Sequence, residues 1–331
     1  MNCKHFVLIG IFLLFNNVYA IDDPDFEPQR NAFARVHSNF HLGISHSDQN
    51  SAFEITRAYL GYQHNFDQSF SAVVKLDIGS PDDVSDYSRL RRYAYFKTAA
   101  LSYNYNKLTV NFGLIDLFQF RTQEKFWDKR YIYKSFQDEH AFGSSADIGL
   151  ALIYNVSEKI SCDFVVINGE GYKSLQSDNT YQTALGITYK PADFITTRIY
   201  YDYTDKSTIQ SNFAAFIGFD YSDYKIGLEY NFNHNSDFVQ ERNLNGFSFY
   251  GSYHVFKSVE LFARYDVLRS NKPDNTDIPW NLNSDGSAII TGFQFKPHKY
   301  VKLSLNYQDW YPYAADEPNL AYIYFNVEFS F

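Results

Sequence analysis

The densest run of residues able to do chemistry is 117–145, LFQFRTQEKFWDKRYIYKSFQDEHAFGSS. Arg121, Lys125, Lys129, Arg130 and Lys134 stand there against Glu124, Asp128, Asp138 and Glu139. Charges of both signs, interleaved and without an activated nucleophile, suit non-covalent electrostatic work rather than bond-making. Phe126, Trp127, Tyr131 and Phe136 supply large apolar faces that would anchor such a segment against a wall.

Other candidates for chemistry are weaker. His37 and His41 share the polar face of the first strand, but no carboxylate or Cys is spaced to complete a metal site, and polar lining is the expected role. No G-x-S-x-G nucleophile motif occurs, so an enzyme is not expected. Gly169-Glu170-Gly171 is too short for a phosphate-binding loop, and Asn155-Val156-Ser157 sits at a short turn where glycosylation is discounted. No cofactor and no metal is called for. A net charge of −9 disfavours nucleic acid, whose phosphates need a basic surface.

These residues must be positioned by strands. In the last segment Ala321, Ile323, Phe325, Val327, Phe329 and Phe331 share one face, while Tyr322, Tyr324, Asn326, Glu328 and Ser330 share the other. The same period-two pattern predicts sixteen strands, at 33–45, 53–64, 69–78, 92–104, 108–116, 146–154, 159–168 and 181–190 in the first half. The second half holds 194–204, 211–221, 224–233, 246–255, 258–268, 287–296, 300–309 and 320–331. Short connections at 65–69, 155–158, 191–193, 222–223, 256–257 and 297–299 alternate with long polar ones at 81–90, 117–145, 169–180, 235–245, 269–286 and 311–318.

Aromatics make up 19% of the residues, with 29 Tyr and 32 Phe, yet the chain is hydrophilic on average. An apolar outer face, a polar lumen and aromatic girdles would average to that composition. Tyr62, Tyr154, Tyr189, Tyr221, Tyr253, Phe295 and Phe329 all fall at the short-turn ends of apolar faces, where a membrane interface favours rings. Residues 1–20 read as a cleaved export signal: Lys4 and His5, an apolar stretch at 6–15, then Val18-Tyr19-Ala20. Cleavage there would remove Cys3 and leave Cys162 alone, so no internal disulfide is expected. The expected architecture is an all-β transmembrane antiparallel barrel over 21–331 with short periplasmic turns and long extracellular loops.

The polar face of the strands carries the charges that would line the lumen. Arg35, Arg57, Lys75, Arg198, Lys225, Arg264 and Lys302 point inward with Asp77, Asp147, Asp163, Asp202, Glu229, Glu260, Asp266 and Glu328. The fourth strand breaks the pattern, because Tyr93, Tyr95, Lys97, Leu101 and Tyr103 share a phase. A bulge or an earlier turn is expected there, and the sequence leaves the facing of Lys97 open.

The stretches RAYLGY at 57–62, LTVNFGL at 108–114, QEKFWDKRYIYKSFQDEHAFGSSADIGL at 123–150 and VINGEGYKSLQ at 166–176 resemble the outer-membrane porins of Bacteroidota. More distantly they are similar to the phosphate-selective porins O and P. The resemblance implies a sixteen-stranded trimeric barrel, integral to the outer membrane and in contact with its lipid, that passes small hydrophilic solutes or anions. It also implies that 117–145 folds inward as a constriction. A surface adhesin or receptor acting through its loops is the alternative. Because only the narrowest region can impose a charge preference, a modest anion preference set by Lys125, Lys129 and Arg130 is expected, rather than a dedicated phosphate site. Pore lining then falls to Arg57, Lys75, Arg198, Glu229, Arg264 and Lys302.

Overall fold

The computed structural model describes residues 26–45, 49–79 and 93–331. The expected export signal, Cys3 and the 81–90 connection lie outside the described residues. Sixteen strands follow one another: β1 Arg30–Gly43, β2 Ser51–Asn65, β3 Phe70–Ile78, β4 Ala94–Tyr105 and β5 Leu108–Asp116. Next come β6 Ala146–Asn155, β7 Ile160–Ile167, β8 Gln182–Ala192, β9 Ile195–Asp205, β10 Ile209–Tyr221 and β11 Tyr224–His234. β12 Leu244–Phe256, β13 Val259–Ser270, β14 Gly286–His298, β15 Val301–Pro312 and β16 Leu320–Ser330 complete the series.

Each strand pairs antiparallel with its neighbours, and β1 pairs with β16 to close the barrel. His37 stands opposite Glu328, and Phe40 opposite Phe325. The last residue takes part: the Ala34 N–H donates to the Phe331 carbonyl at 2.8 Å, and the Phe331 N–H returns a bond to Ala34 at 3.1 Å. Closure pairs every strand on both sides, which is the condition for placing strands in lipid. Every expected strand is present with ends within three residues of the alternation-based limits.

The alternation maps onto inside and outside. On β11, Ile226, Leu228 and Tyr230 are exposed on the outer face, while Glu229 and Asn231 are buried inside. Tyr62, Tyr154, Tyr189, Tyr221, Tyr253, Phe295 and Phe329 are all exposed at the short-turn end. Among the tight turns there, the β4–β5 hairpin is only two residues long and puts Asn106 at φ 52°, a conformation Asn tolerates.

Two positions needed the structure. The β3–β4 register shifts between Lys75 and Leu76, so β4 carries an extra residue. Phe96 is therefore exposed outside while Lys97 and Thr98 are both buried inside. Of the two expected irregularities it is the bulge that occurs, and it turns Lys97 inward, where its ammonium donates to the Ser145 hydroxyl. Gly227, in phase with Glu229, faces inward, but a Cβ there would come within 2.3 Å of the Tyr250 ring, which covers it.

Candidate functional site: the lumen and the segment that crosses it

The segment between β5 and β6 lies inside the barrel. It holds two short helices, α1 Arg121–Trp127 and α2 Phe136–Glu139. Neither shows in the sequence, because two turns are too few for an amphipathic period to register. α1 stops where Asp128 adopts a left-handed conformation (φ 53°) and its N–H returns to the Glu124 carbonyl at 3.0 Å.

From β5 the segment reaches strands on the opposite side of the ring. Trp127 (2% exposed), Tyr131 and Ile132 pack with Phe216 on β10, Tyr250 on β12, Phe262 on β13 and Ile290 on β14. The Trp127 ring meets Phe262 edge-on at 5.9 Å. Two glycines in the wall leave recesses for the segment's rings. A Cβ at Gly218 would come within 2.5 Å of Phe126, and one at Gly246 within 2.0 Å of Phe136.

Polar groups pin the same segment to four strands. The Lys129 ammonium donates to Glu260 Oε1 at 2.7 Å, and Tyr131 donates its hydroxyl to Gln294 Oε1 at 3.0 Å. Backbone carbonyls of the segment accept from Gln308 (3.1 Å, at Ile132), Asn326 (3.2 Å, at Tyr131) and Arg264 (2.8 Å, at Lys134). Packed aromatics thus fill the β10–β14 side of the lumen. On the β1–β4 and β15–β16 side a cavity of about 810 Å³ stays open between the segment and the wall, reaching Arg35, Tyr300 and Phe331 at the short-turn end.

Among the described residues, seven cations line this cavity: Arg35, Lys75, Lys97, Arg121, Lys125, Arg130 and Lys302. Its four carboxylates are all engaged. Asp116 holds Lys75 at 2.7 Å, Glu124 faces Arg130 at 3.4 Å, Asp128 holds Lys302 at 3.1 Å, and Glu328 lies 3.0 Å from His37 and 3.2 Å from Lys302. Among the described residues, Arg35, Lys97, Arg121 and Lys125 have no carboxylate within ion-pairing distance. The Lys125 ammonium is held below its ordinary pKa, first by the neighbouring Arg121 guanidinium, then by partial burial and by Lys190. Its surroundings are therefore net positive.

The other expected loop residues sit differently. Lys129 (1% exposed) lies on the wall side, away from the cavity; burial lowers its pKa and Glu260 opposes that shift. Arg130 is tied to Asp138 at 2.7 Å. Burial alone would lower its pKa, but Tyr59, Asp138 and Glu124 together raise it. Lys134 stands 3.6 Å from Glu139. Of the expected lining residues, Lys75 and Lys302 face the open cavity, and Arg57 is bound to Asp77 at 2.9 Å. Arg198 is bound to Asp163 (2.7 Å) and Arg264 to Asp266 (2.6 Å), each buried against its own wall, while Glu229 is buried on the filled side.

His37 pairs with Glu328 and His41 with Glu54 at 3.5 Å, so the two histidines do not converge. No cluster of three metal-ligand side chains occurs among the described residues. Sequence reasoning left out Lys97 and Asp116 as lining residues. The first needed the bulge to be located, and the second lies at a strand end where phase is lost.

No protein-family model and no curated protein sequence matches the chain. The fold, by contrast, is shared with many solved structures. The outer-membrane channel DcaP of Acinetobacter baumannii superposes with a TM-score of 0.69 at 12% identity, over 92% of this chain and 97% of DcaP. OmpF of Salmonella typhi, solved in complex with daunomycin, gives 0.69 at 11% identity, over 91% and 97%. The outer-membrane protein OmpT of Vibrio cholerae gives 0.67 at 12% identity, over 93% and 99%. At these identities the likeness establishes the closed sixteen-stranded antiparallel barrel.

Proposed function

We propose that this chain is an outer-membrane porin through which small hydrophilic solutes diffuse passively, with a modest preference for anions. Residues 1–20 serve as the export signal, 21–331 form the barrel, and 117–145 is the constriction. The structural neighbours named as channels and porins support the channel reading. One OmpT structure of this fold is a trimer form, which supports a homotrimer. The resemblance to Bacteroidota porins belongs to the same proposal, without a dedicated phosphate site.

The observation that carries the anion preference is the charge pairing around the open cavity. Among the described residues, every carboxylate lining it is held by a cation, whereas Arg35, Lys97, Arg121 and Lys125 have no carboxylate partner. Salt screens charges beyond about 8 Å at physiological strength, so only the groups along the narrow path act on a passing ion. Of the three residues expected from the sequence, Lys125 carries the preference, joined by Arg121; Lys129 and Arg130 hold the segment in place. Reversal potentials in a salt gradient across a planar bilayer test this. Wild type should favour chloride over potassium, and Arg121→Glu/Lys125→Glu should move the reversal potential toward cation selectivity. A cation-selective wild type, or no shift in the double variant, would refute it.

A further inference from the structure

A second cavity, about 440 Å³, opens on the long-loop side of the segment, against β14–β16. That size falls within the range of small-molecule sites. Its lining differs from that of the cavity below. Trp310, Tyr133 and Tyr322 contribute three aromatic rings, and Gln308, Glu139 and Asn283 contribute planar amide and carboxylate groups. Among the described residues no Lys or Arg lines it.

Glu139 holds Lys134 at 3.6 Å with one carboxylate oxygen, and Gln308 is oriented toward the cavity. The Gln308 amide nitrogen donates to the Ile132 carbonyl at 3.1 Å and to Asn306 Oδ1 at 2.9 Å, which fixes the amide and leaves its oxygen as an oriented acceptor. Trp127 and Trp280 donate their indole N–H groups to the carbonyls of Tyr133 and Asn243. Among the described residues none accepts from Trp310. The Trp310 ring is seated over Gly286, where a Cβ would come within 2.6 Å of it, and His140 lies 5.6 Å away. A rigid, partly exposed indole with a free donor thus stands beside a fixed acceptor.

A pyranose ring needs that combination. Its faces are C–H surfaces that stack on aromatic rings, and its equatorial hydroxyls both donate and accept, so amides and carboxylates match them better than cations do. We propose that this cavity is a saccharide subsite, in which Trp310 stacks on a sugar ring and Gln308, Glu139 and Asn283 receive its hydroxyls. The proposal rests on the porin reading and names a class of solute for it. A sugar entering from the long-loop side is held there before it passes the segment.

The test is binding by purified barrel in detergent, which does not depend on conductance. Glucose, maltose and N-acetylglucosamine are titrated while intrinsic tryptophan fluorescence and, separately, isothermal heats are recorded, with tetramethylammonium as a cationic probe. Saturable binding of at least one sugar is expected, with a Kd on the order of 1 mM for so open a site. Trp310→Ala should weaken it about tenfold, as loss of one aromatic contact implies, and Gln308→Ala several-fold. Slow migration of the unheated variants on gels shows that they still fold. Absence of saturable binding by every sugar, or equal affinity in folded Trp310→Ala, overturns the subsite, as does binding of tetramethylammonium in place of sugars. Sugar binding by a protein that conducts no ions would leave the subsite standing and sink the porin reading alone.

Discussion

Replacing Gly246 by alanine should release part of the 117–145 segment without unfolding the barrel. The added Cβ would sit 2.0 Å from one carbon of the Phe136 ring and 2.4 Å from another, and that ring is 0% exposed. The ring cannot shift locally, because Phe142 packs on it at 5.7 Å and His140 at 4.5 Å. It must therefore leave its recess. Exposing a buried Phe costs roughly 1.5–3 kcal/mol, so the balance between docked and undocked segment should move by about ten- to hundredfold. The β11–β12 and β12–β13 hydrogen bonds are unaffected, so heat-modifiable migration should persist. Trypsin reports on the segment: cleavage after Lys134, whose carbonyl is held by Arg264, should accelerate by that factor, and single-channel conductance should rise. Gly251→Ala is the control, since a Cβ there meets nothing closer than the Lys225 carbonyl at 3.3 Å. If Gly246→Ala matches Gly251→Ala in both trypsin sensitivity and conductance, the recess does not hold the segment.

Leu228→Arg places a charge on the outer face beside the apolar row of β11 and should cost roughly 2–4 kcal/mol near the bilayer midplane. Assembly as efficient as wild type, judged by unheated against boiled gel migration, would mean the facing is misassigned. Lys129→Met leaves Glu260 buried without its ammonium, a loss on the order of 3–5 kcal/mol; Lys129→Met/Glu260→Gln should recover most of it. Equal midpoints in urea for the single and double variants would count against the pair as an anchor. The Asp178 carboxyl is pushed down to about 2 by the Thr180 hydroxyl, the Thr180 N–H and Lys206. A depressed carboxylate contributes stability above its unfolded pKa and loses it as pH falls through the folded one. Protection of the 168–181 loop in hydrogen exchange should therefore be flat from pH 7 to about 4 and fall only as pH approaches 2. A loss of protection between pH 7 and 5 would contradict this.

The strands were legible because strand facing has period two and each face meets a different solvent: Leu228 and Glu229 are adjacent in sequence and opposite in surroundings. Lys97 was not legible, since a single extra residue inverts everything after it and only the partner strand shows where it falls. The charges of 117–145 were visible, but their partners were not. Lys125 and Lys129 are both lysines four residues apart, and one lines a cavity while the other is buried against Glu260 on the far wall. That outcome depends on Phe126 finding Gly218 and Phe136 finding Gly246, contacts across about a hundred residues that carry no local signature.

The pairing of β1 with β16 also dictates the order in which this protein can come into being. His37 and Glu328 meet across 291 positions, and Phe331 itself supplies backbone bonds to Ala34. Until β16 is present, any partial sheet has two unsatisfied margins beside rows of exposed Phe, Leu and Ile, which is the geometry of intermolecular sticking. Contacts this remote also make spontaneous closure slow. The ring can therefore shut only in one late event, once β16 is available to β1.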